Sequence, residues 1–377
     1  MNINEIPTPF YIVYESRLRR NLQLISEVSR RAGVDIIMAF KANALWRTFD
    51  IVKEYCRDST ASSLNELRLG REFLGGNVHS YCPAYTDDTI DAYASNSSHI
   101  TFNSLSQYQR FGARAKKAGA SPGLRVNPHC SVIDTDIYNP ALPGSRFGVS
   151  AADIGDALPA GVEGLHFHAL CESSSYDLQR VLEAFEAQFG HLLSQVQWVN
   201  MGGGQLMPRQ GYDTDHLVAL LTDFRKRHPH LKIILEPGSA FTWRTGDLIT
   251  SVVDVVENDG IRTAIIDASF ACHMPDTLEM PYKPLITESL DDDAADGLAY
   301  RLGGNSCLSG DYKGDWRFAR PLRPGDRLTL EDMNHYTTVK TTMFNGISHP
   351  AIVLASISGD CKYLRQYTYD DYKSRMS

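Results

Sequence analysis

The sequence predicts an eight-stranded parallel β/α barrel followed by a β-rich domain, and three observations carry that reading. Eight short runs, "DIIMAF", "STASS", "VHSYCP", "HITFN", "GLRVNP", "GLHFHAL", "QWVNMGGG" and "KIILEPG", recur from Asp35 to Gly238. Amphipathic stretches of helical length lie between them, among them "SLSQYQRFGARAKKAG", "LQRVLEAFEAQFGHLLSQ" and "DTDHLVALLTDFRKRHP", with "LRRNLQLISEVSRRAG" ahead of the first. That alternation is the mark of βαβ units, and eight strands close a barrel. After "EPGSAF" the texture changes to "DLITSVVDVVEN", "RTAIIDASF", "DRLTLEDM" and "AIVLASI", with the turn signals "NDG" and "RPGD", and helical period is scarce until the last residues. The expected division is residues 1–14 as a segment joining the β-domain, 15–243 as the barrel and 244–377 as the β-domain.

Composition bounds the chemistry. At 377 residues the chain exceeds the size at which single cores stop growing, so two domains are expected. Hydrophobic content of 43% and charged content of 22% are those of an ordinary globular protein. A net charge of −8 argues against nucleic acid as a partner and does not repel a cationic substrate. The opening "MNINEIPTPF" lacks a basic stretch followed by an apolar core, and no later run is long enough for a membrane span. The cytoplasm is therefore the expected compartment, with no membrane partner. Seven cysteines, an odd number without a C-x-x-C pair, suggest neither a disulfide framework nor structural zinc.

Taken in order, the strand ends hold the residues of interest. Within "DIIMAF", Ile36 to Phe40 form an unbroken apolar run suited to burial on both faces, and Lys41 emerges where it stops. A lysine there either snorkels to water along its apolar stem or is a desolvated amine tuned to form a Schiff base. "STASS" is a poor strand by its own composition. In "HFH", His166 and His168 share a face, as metal ligands can. A metal needs a third ligand, and no other histidine stands at a telling spacing, so no metal centre is expected. His168 suits stacking on an aromatic cofactor ring, and His166 reads as a barrel-interior residue. Gly202, Gly203 and Gly204 form either a tight strand-to-helix turn or a loop whose N–H groups can approach a phosphate. Glu236 closes the eighth run, and the acidic "SLDDDAADG" reads as a solvated loop.

In a barrel, chemistry gathers at the carboxyl ends of the strands, which puts Lys41, His168, the three glycines and Glu236 on one rim. An amine, a stacking ring, a phosphate loop and a carboxylate together describe a site for pyridoxal 5′-phosphate. Lys41 would carry the cofactor, the glycines its phosphate, and Glu236 would face the pyridine nitrogen. A carboxylate there keeps that nitrogen protonated and favours a strong electron sink, as decarboxylation requires.

The whole chain resembles the alanine racemase-like (fold type III) pyridoxal-phosphate decarboxylases, within them those acting on carboxynorspermidine and carboxyspermidine. The resemblance is carried by "PTPFYIVY", "AFKAN", "PGSRFG", "HALCE", "GGGQ", "EPG", "CHMPDTLEMPYKP", "CLSGD" and "HYTTVKTTMFNG". It implies release of carbon dioxide to give norspermidine or spermidine, with Cys307 supplied from a partner subunit to protonate the substrate carbon. It also implies a homodimer with a shared site and contact of Tyr336 with the cofactor phosphate. Racemases of this fold resemble one another in an arginine where Glu236 stands. Two departures matter. Relatives acting on ornithine or diaminopimelate carry an acidic residue directly after the cysteine, where this chain has Leu308. Relatives also usually place arginine after "EPG", where Ser239 stands. Asp276 and Glu279 are the candidates for binding the substrate's amino groups, the alternative being surface carboxylates near a proline turn. Ser239 and Asp311 are counted with them as expected substrate contacts. The rival readings are another amino-acid decarboxylase of this fold, a racemase, or a pyridoxal-phosphate carrier that has the barrel without a second domain.

Overall fold

The computed structural model describes residues 1–280 and 282–377; Pro281, within "CHMPDTLEMPYKP", lies outside them. The chain divides into Arg20–Phe241 and a second unit formed by Met1–Arg19 with Thr242–Ser377. The sequence reading placed these cuts at 14/15 and 243/244.

The first unit is the barrel. Its opening strand is Asp35–Ile36 and Met38–Ala39, interrupted at Ile37, whose N–H still donates to the Leu235 carbonyl at 2.8 Å. Asp35–Ile36 pairs with Lys232–Leu235, and Met38–Ala39 pairs with Ser59–Ala61. Between these run Val78–Tyr81, His99–Phe102, Ser121–Arg125, Gly164–His166 and Trp198–Asn200, each parallel to its neighbours. All eight runs named from the sequence are strands. "STASS" succeeds because Ser59–Ala61 is bonded on both sides, which outweighs its weak intrinsic preference. Inside, Ile37, Trp198 and Ile234 form an apolar cluster. The Trp198 ring needs glycine beside it: a Cβ on Gly164 would lie 2.0 Å from the ring, and one on Gly123 2.3 Å.

The helices around the barrel start where polar caps occur in the sequence. Ser104 accepts the Gln107 N–H ahead of Leu105–Lys117, Ser174 forms a capping box with Asp177 ahead of Ser175–Phe189, and Asp213 accepts the His216 N–H ahead of Thr214–Arg227. Their buried faces carry Phe111, Phe185 and Leu221 among others.

The second unit is built on a mixed sheet in the order Tyr312–Phe318, Leu298–Gly303, Ile261–Ile266, Gly246–Asn258, Phe10–Tyr14, Ala351–Ala355, Cys361–Arg365, with Arg327–Leu330 also on Gly246–Asn258. The long strand Gly246–Asn258 serves two sets of partners because its register shifts between Val252 and Asp254. "NDG" is the hairpin that reverses it, with Asp259 at φ 50° and Gly260 at φ 78°. Phe10, Ile12, Ile249 and Val353 centre its core. "SLDDDAADG" is a loop tied down by the Leu290 N–H, which donates to the Arg317 carbonyl at 2.7 Å. Among the described residues no helix is long and apolar enough to cross a membrane.

Candidate active site

Lys41 stands two residues beyond Met38–Ala39, after the fully buried Phe40, which stacks on Phe49 at 5.1 Å and anchors the strand end. Burial lowers the Lys41 pKa; Glu236 opposes that shift and Arg125 adds to it. An amine held below its ordinary pKa is more often neutral, which is the form that condenses with a carbonyl.

Glu236, 5% exposed, follows the last barrel strand. Its Oε2 accepts from Asn200 Nδ2 at 3.0 Å, and its Oε1 lies 3.2 Å from His166 Nε2. Burial works against its charge, but His166, with Lys41 behind it, outweighs burial and holds the carboxyl well below its usual range. Glu236 is therefore a carboxylate at any working pH. The reading of His166 as merely interior is incomplete: it is buried, as expected, and it is also the nearest imidazole to this carboxylate.

His168 has a defined tautomer. The Gly203 N–H donates to its Nδ1 at 2.9 Å, so the ring proton belongs on Nε2. Burial pushes its pKa well down, and Lys41 and Arg125 push the same way, so the ring is neutral. The glycine loop is thereby partly committed to the protein itself. The Gly202 N–H donates to Asn200 Oδ1 at 2.9 Å and that of Gly203 is spent on His168, so the expectation that all three amides face a phosphate narrows to Gly204. Glycine is required here for close approach: a Cβ on Gly203 would lie 2.4 Å from the Glu236 carbonyl, and one on Gly204 2.5 Å from Leu170.

Four residues of this unit escaped the sequence reading. Arg125, 5% exposed, donates to the His168 carbonyl at 3.2 Å and packs over the Tyr81 and Phe147 rings. Its place at the carboxyl end of the fifth strand was a usable signal. Asn200, one residue before "MGGG", joins Glu236 to the glycine loop. Glu66 accepts the Ser62 N–H at 2.6 Å and lies in the field of Lys41; burial raises its pKa. Gln205 is 1% exposed, and neither carboxamide atom is paired among the described residues. A buried amide of that kind offers a donor and an acceptor to a bound group. Desolvated amine, neutral imidazole, ionised carboxylate, glycine loop and orphaned amide all fit pyridoxal 5′-phosphate.

In the sheet unit, Cys307 is exposed on the loop between Leu298–Gly303 and Tyr312–Phe318, and its N–H donates to Asn345 Oδ1 at 2.8 Å. Asp311 is 3% exposed; Ser269 Oγ at 2.8 Å and the N–H groups of Ala271 at 2.9 Å and Ser306 at 3.1 Å converge on its carboxylate. Asp276 and Glu279 both engage Lys340, the first with Oδ1 2.7 Å from Nζ. Burial works against the Lys340 charge, but these two carboxylates outweigh it and raise its pKa. Tyr336 has φ 47°, an unusual conformation for an aromatic residue. Ser239 opens the short helix Ser239–Thr242.

Residues 12–334 match the family described as "Pyridoxal-dependent decarboxylase, C-terminal sheet domain". The chain belongs to that family and is a pyridoxal-dependent decarboxylase. It is 44% identical to carboxyaminopropylagmatine decarboxylase of Synechocystis sp., over 99% of this chain and 96% of that protein. It is 39% identical to the carboxynorspermidine/carboxyspermidine decarboxylase of Campylobacter jejuni, over the full length of both. The crystal structure of carboxynorspermidine decarboxylase from Campylobacter jejuni, complexed with norspermidine, superposes with a TM-score of 0.90 at 38% identity, covering 98% of this chain and 100% of that one.

Proposed function

We propose that this decarboxylase acts in polyamine biosynthesis in the cytoplasm, converting carboxynorspermidine or carboxyspermidine to norspermidine or spermidine. The observation that carries the substrate class is the full-length likeness to the carboxynorspermidine/carboxyspermidine decarboxylase of Campylobacter jejuni, 39% identical over the whole of both chains. Asp276 and Glu279 engage Lys340 Nζ in this structure, so they serve a distal substrate amine by giving up that partner. Leu308 offers nothing to a short distal ammonium, which disfavours ornithine and diaminopimelate. A second reading rests on the Synechocystis relative: carboxyaminopropylagmatine ends in a guanidinium, which a carboxylate pair also accepts.

The barrel rim supplies the cofactor site in this reading. Pyridoxal 5′-phosphate, when bound, supplies an electron sink for the pair released as the carbon–carboxylate bond breaks. Lys41 would hold the group through its amine, in the unprotonated form that burial favours. Glu236, kept ionised by its surroundings, holds a proton on the pyridine nitrogen, and Asn200 fixes the orientation of that carboxylate. The neutral His168 ring, locked by Gly203, presents a flat face for stacking. Gly204 and Gln205 are assigned to the phosphate, taking up the role left by Ser239. Cys307 delivers a proton to the carbon that has lost carbon dioxide, acting in the site of a second subunit. Exposed Leu308, Tyr312 and Phe344 around that loop support burial of this face against a partner in a homodimer.

The test is direct. Each of the three carboxylated polyamines, with diaminopimelate and ornithine as controls, is incubated with pure holoenzyme and the amine product identified by mass. Turnover of carboxynorspermidine or carboxyspermidine at least about 30-fold above the controls is expected, from the about 2 kcal/mol lost when a buried ammonium lacks its partner. Faster turnover of carboxyaminopropylagmatine would select the second reading, and faster turnover of diaminopimelate would sink both.

A further inference from the structure

The loop that presents Cys307 is held from two sides, and the two sides differ in what they touch. Underneath, the Gly304 N–H donates to the Asp311 carbonyl at 2.7 Å, closing the loop at its base, and the Asp311 N–H donates to the Leu308 carbonyl at 2.9 Å. The Asp311 carboxylate ties the same loop to Ser269 and Ala271, and it is packed so closely that a Cβ on Gly304 would lie 2.3 Å from its Oδ2. Its donors are therefore protein groups, which makes it a support of the loop.

At Cys307 itself the tether is Asn345, whose Oδ1 accepts the Cys307 N–H at 2.8 Å across 38 residues of sequence. Asn345 reaches it from φ 58°, ψ 11°, a left-handed conformation that asparagine tolerates better than most residues. The segment bearing it also carries Tyr336 and Lys340, so one stretch of chain bonds the thiol loop and the Asp276–Glu279 turn. Cys307 is exposed, so burial does little to orient its side chain, and the direction of the thiol follows from the backbone that Asn345 holds.

We infer that Asn345 is a positioning residue for Cys307: by accepting the Cys307 amide it aims the thiol at the carbon to be protonated. The inference rests on the reading of Cys307 as the proton donor. In that step the carbon keeps the electron pair of the broken carbon–carboxylate bond and takes the thiol proton, and solvent reprotonates the thiolate. When the thiol is misaimed, the proton goes instead to the cofactor's carbonyl-derived carbon. Water then releases an aldehyde in place of the amine, and the substrate nitrogen stays on the cofactor as pyridoxamine phosphate.

The experiment compares Cys307→Ala, Asn345→Gly and Asn345→Asp. Glycine keeps the positive φ and removes the acceptor; aspartate keeps the acceptor. Two quantities are read: the ratio of aldehyde to amine product in the holoenzyme, and hydrogen exchange of the Cys307 amide in the cofactor-free protein. Cys307→Ala and Asn345→Gly are expected to raise the aldehyde fraction at least about tenfold with carbon dioxide release retained, a discrimination of about 1.4 kcal/mol. Asn345→Gly should also speed exchange at Cys307, and Asn345→Asp should match the parent in both. A normal product ratio in Asn345→Gly beside a shifted one in Cys307→Ala overturns the inference alone, as does a shift of equal size in Asn345→Asp. A normal ratio in Cys307→Ala removes the reading of the cysteine and the inference with it.

Discussion

Replacing Glu236 separates the charge of this residue from its hydrogen bond. In Glu236→Ala the Asn200 Nδ2 loses the acceptor it has at 3.0 Å, in a place where both residues are buried. An orphaned buried donor costs about 1–3 kcal/mol, and the contact with His166 at 3.2 Å is lost as well. Glu236→Gln keeps an oxygen for Asn200 and removes only the charge, so its cofactor-free stability should stay within about 1 kcal/mol of the parent. The charge is read at Lys41. Burial lowers the Lys41 pKa and Glu236 is the largest influence opposing it, so neutralising Glu236 lowers that pKa further. The amine condenses only when unprotonated, so the rate of visible-band formation with pyridoxal phosphate should reach its plateau at lower pH in Glu236→Gln than in the parent. Stopped-flow absorbance across pH measures that profile, and urea unfolding of the cofactor-free protein measures the stability difference. A profile displaced to higher pH, or Glu236→Ala as stable as Glu236→Gln, would refute the arrangement deduced for this carboxylate.

Four further outcomes test the rest of the site. Borohydride treatment of the holoenzyme should abolish its visible band and leave the reduced cofactor on the peptide containing Lys41; recovery on another lysine would displace the assignment. Asp276→Ala should lower kcat/KM for the carboxylated triamine by roughly 5- to 150-fold, corresponding to about 1–3 kcal/mol, with cofactor absorbance unchanged. Glu279→Ala should cost less, because its side chain is 46% exposed against 18% for Asp276 and water screens it; steady-state kinetics showing the opposite order would reverse the roles. Gly203→Ala, whose Cβ would stand 2.4 Å from the Glu236 carbonyl, should break the Gly203–His168 bond and weaken pyridoxal phosphate binding in a titration of the cofactor-free protein, whereas an unchanged Kd would show that the loop can relax.

Periodicity was enough to locate the barrel rim. A strand's residues alternate faces, a parallel sheet buries both, and the chain must emerge at its carboxyl end, so Lys41, His168, Gly202 to Gly204 and Glu236 were legible from where the apolar runs stop. The β-rich half was legible from alternation and from "NDG", although Leu298–Gly303, Tyr312–Phe318 and Cys361–Arg365 went unnamed, because short irregular runs become strands only when a neighbour supplies the ladder. The use of each functional group was settled elsewhere. Asn200 meets Glu236 across 36 residues, Gly203 meets His168 across 35, and Lys340 reaches Asp276 across 64. No local pattern encodes such pairs, since a hydrogen bond depends on distances within a few tenths of an ångström that exist only once the sheets have formed. The amino-acid sequence by itself determined which groups reach the rim and which family of folds brings them there. Tertiary structure alone decided that two of the three glycine amides are already engaged, that His166 belongs to the carboxylate, and that Asp311 faces inward to hold a loop, because each follows from closure of the chain in space.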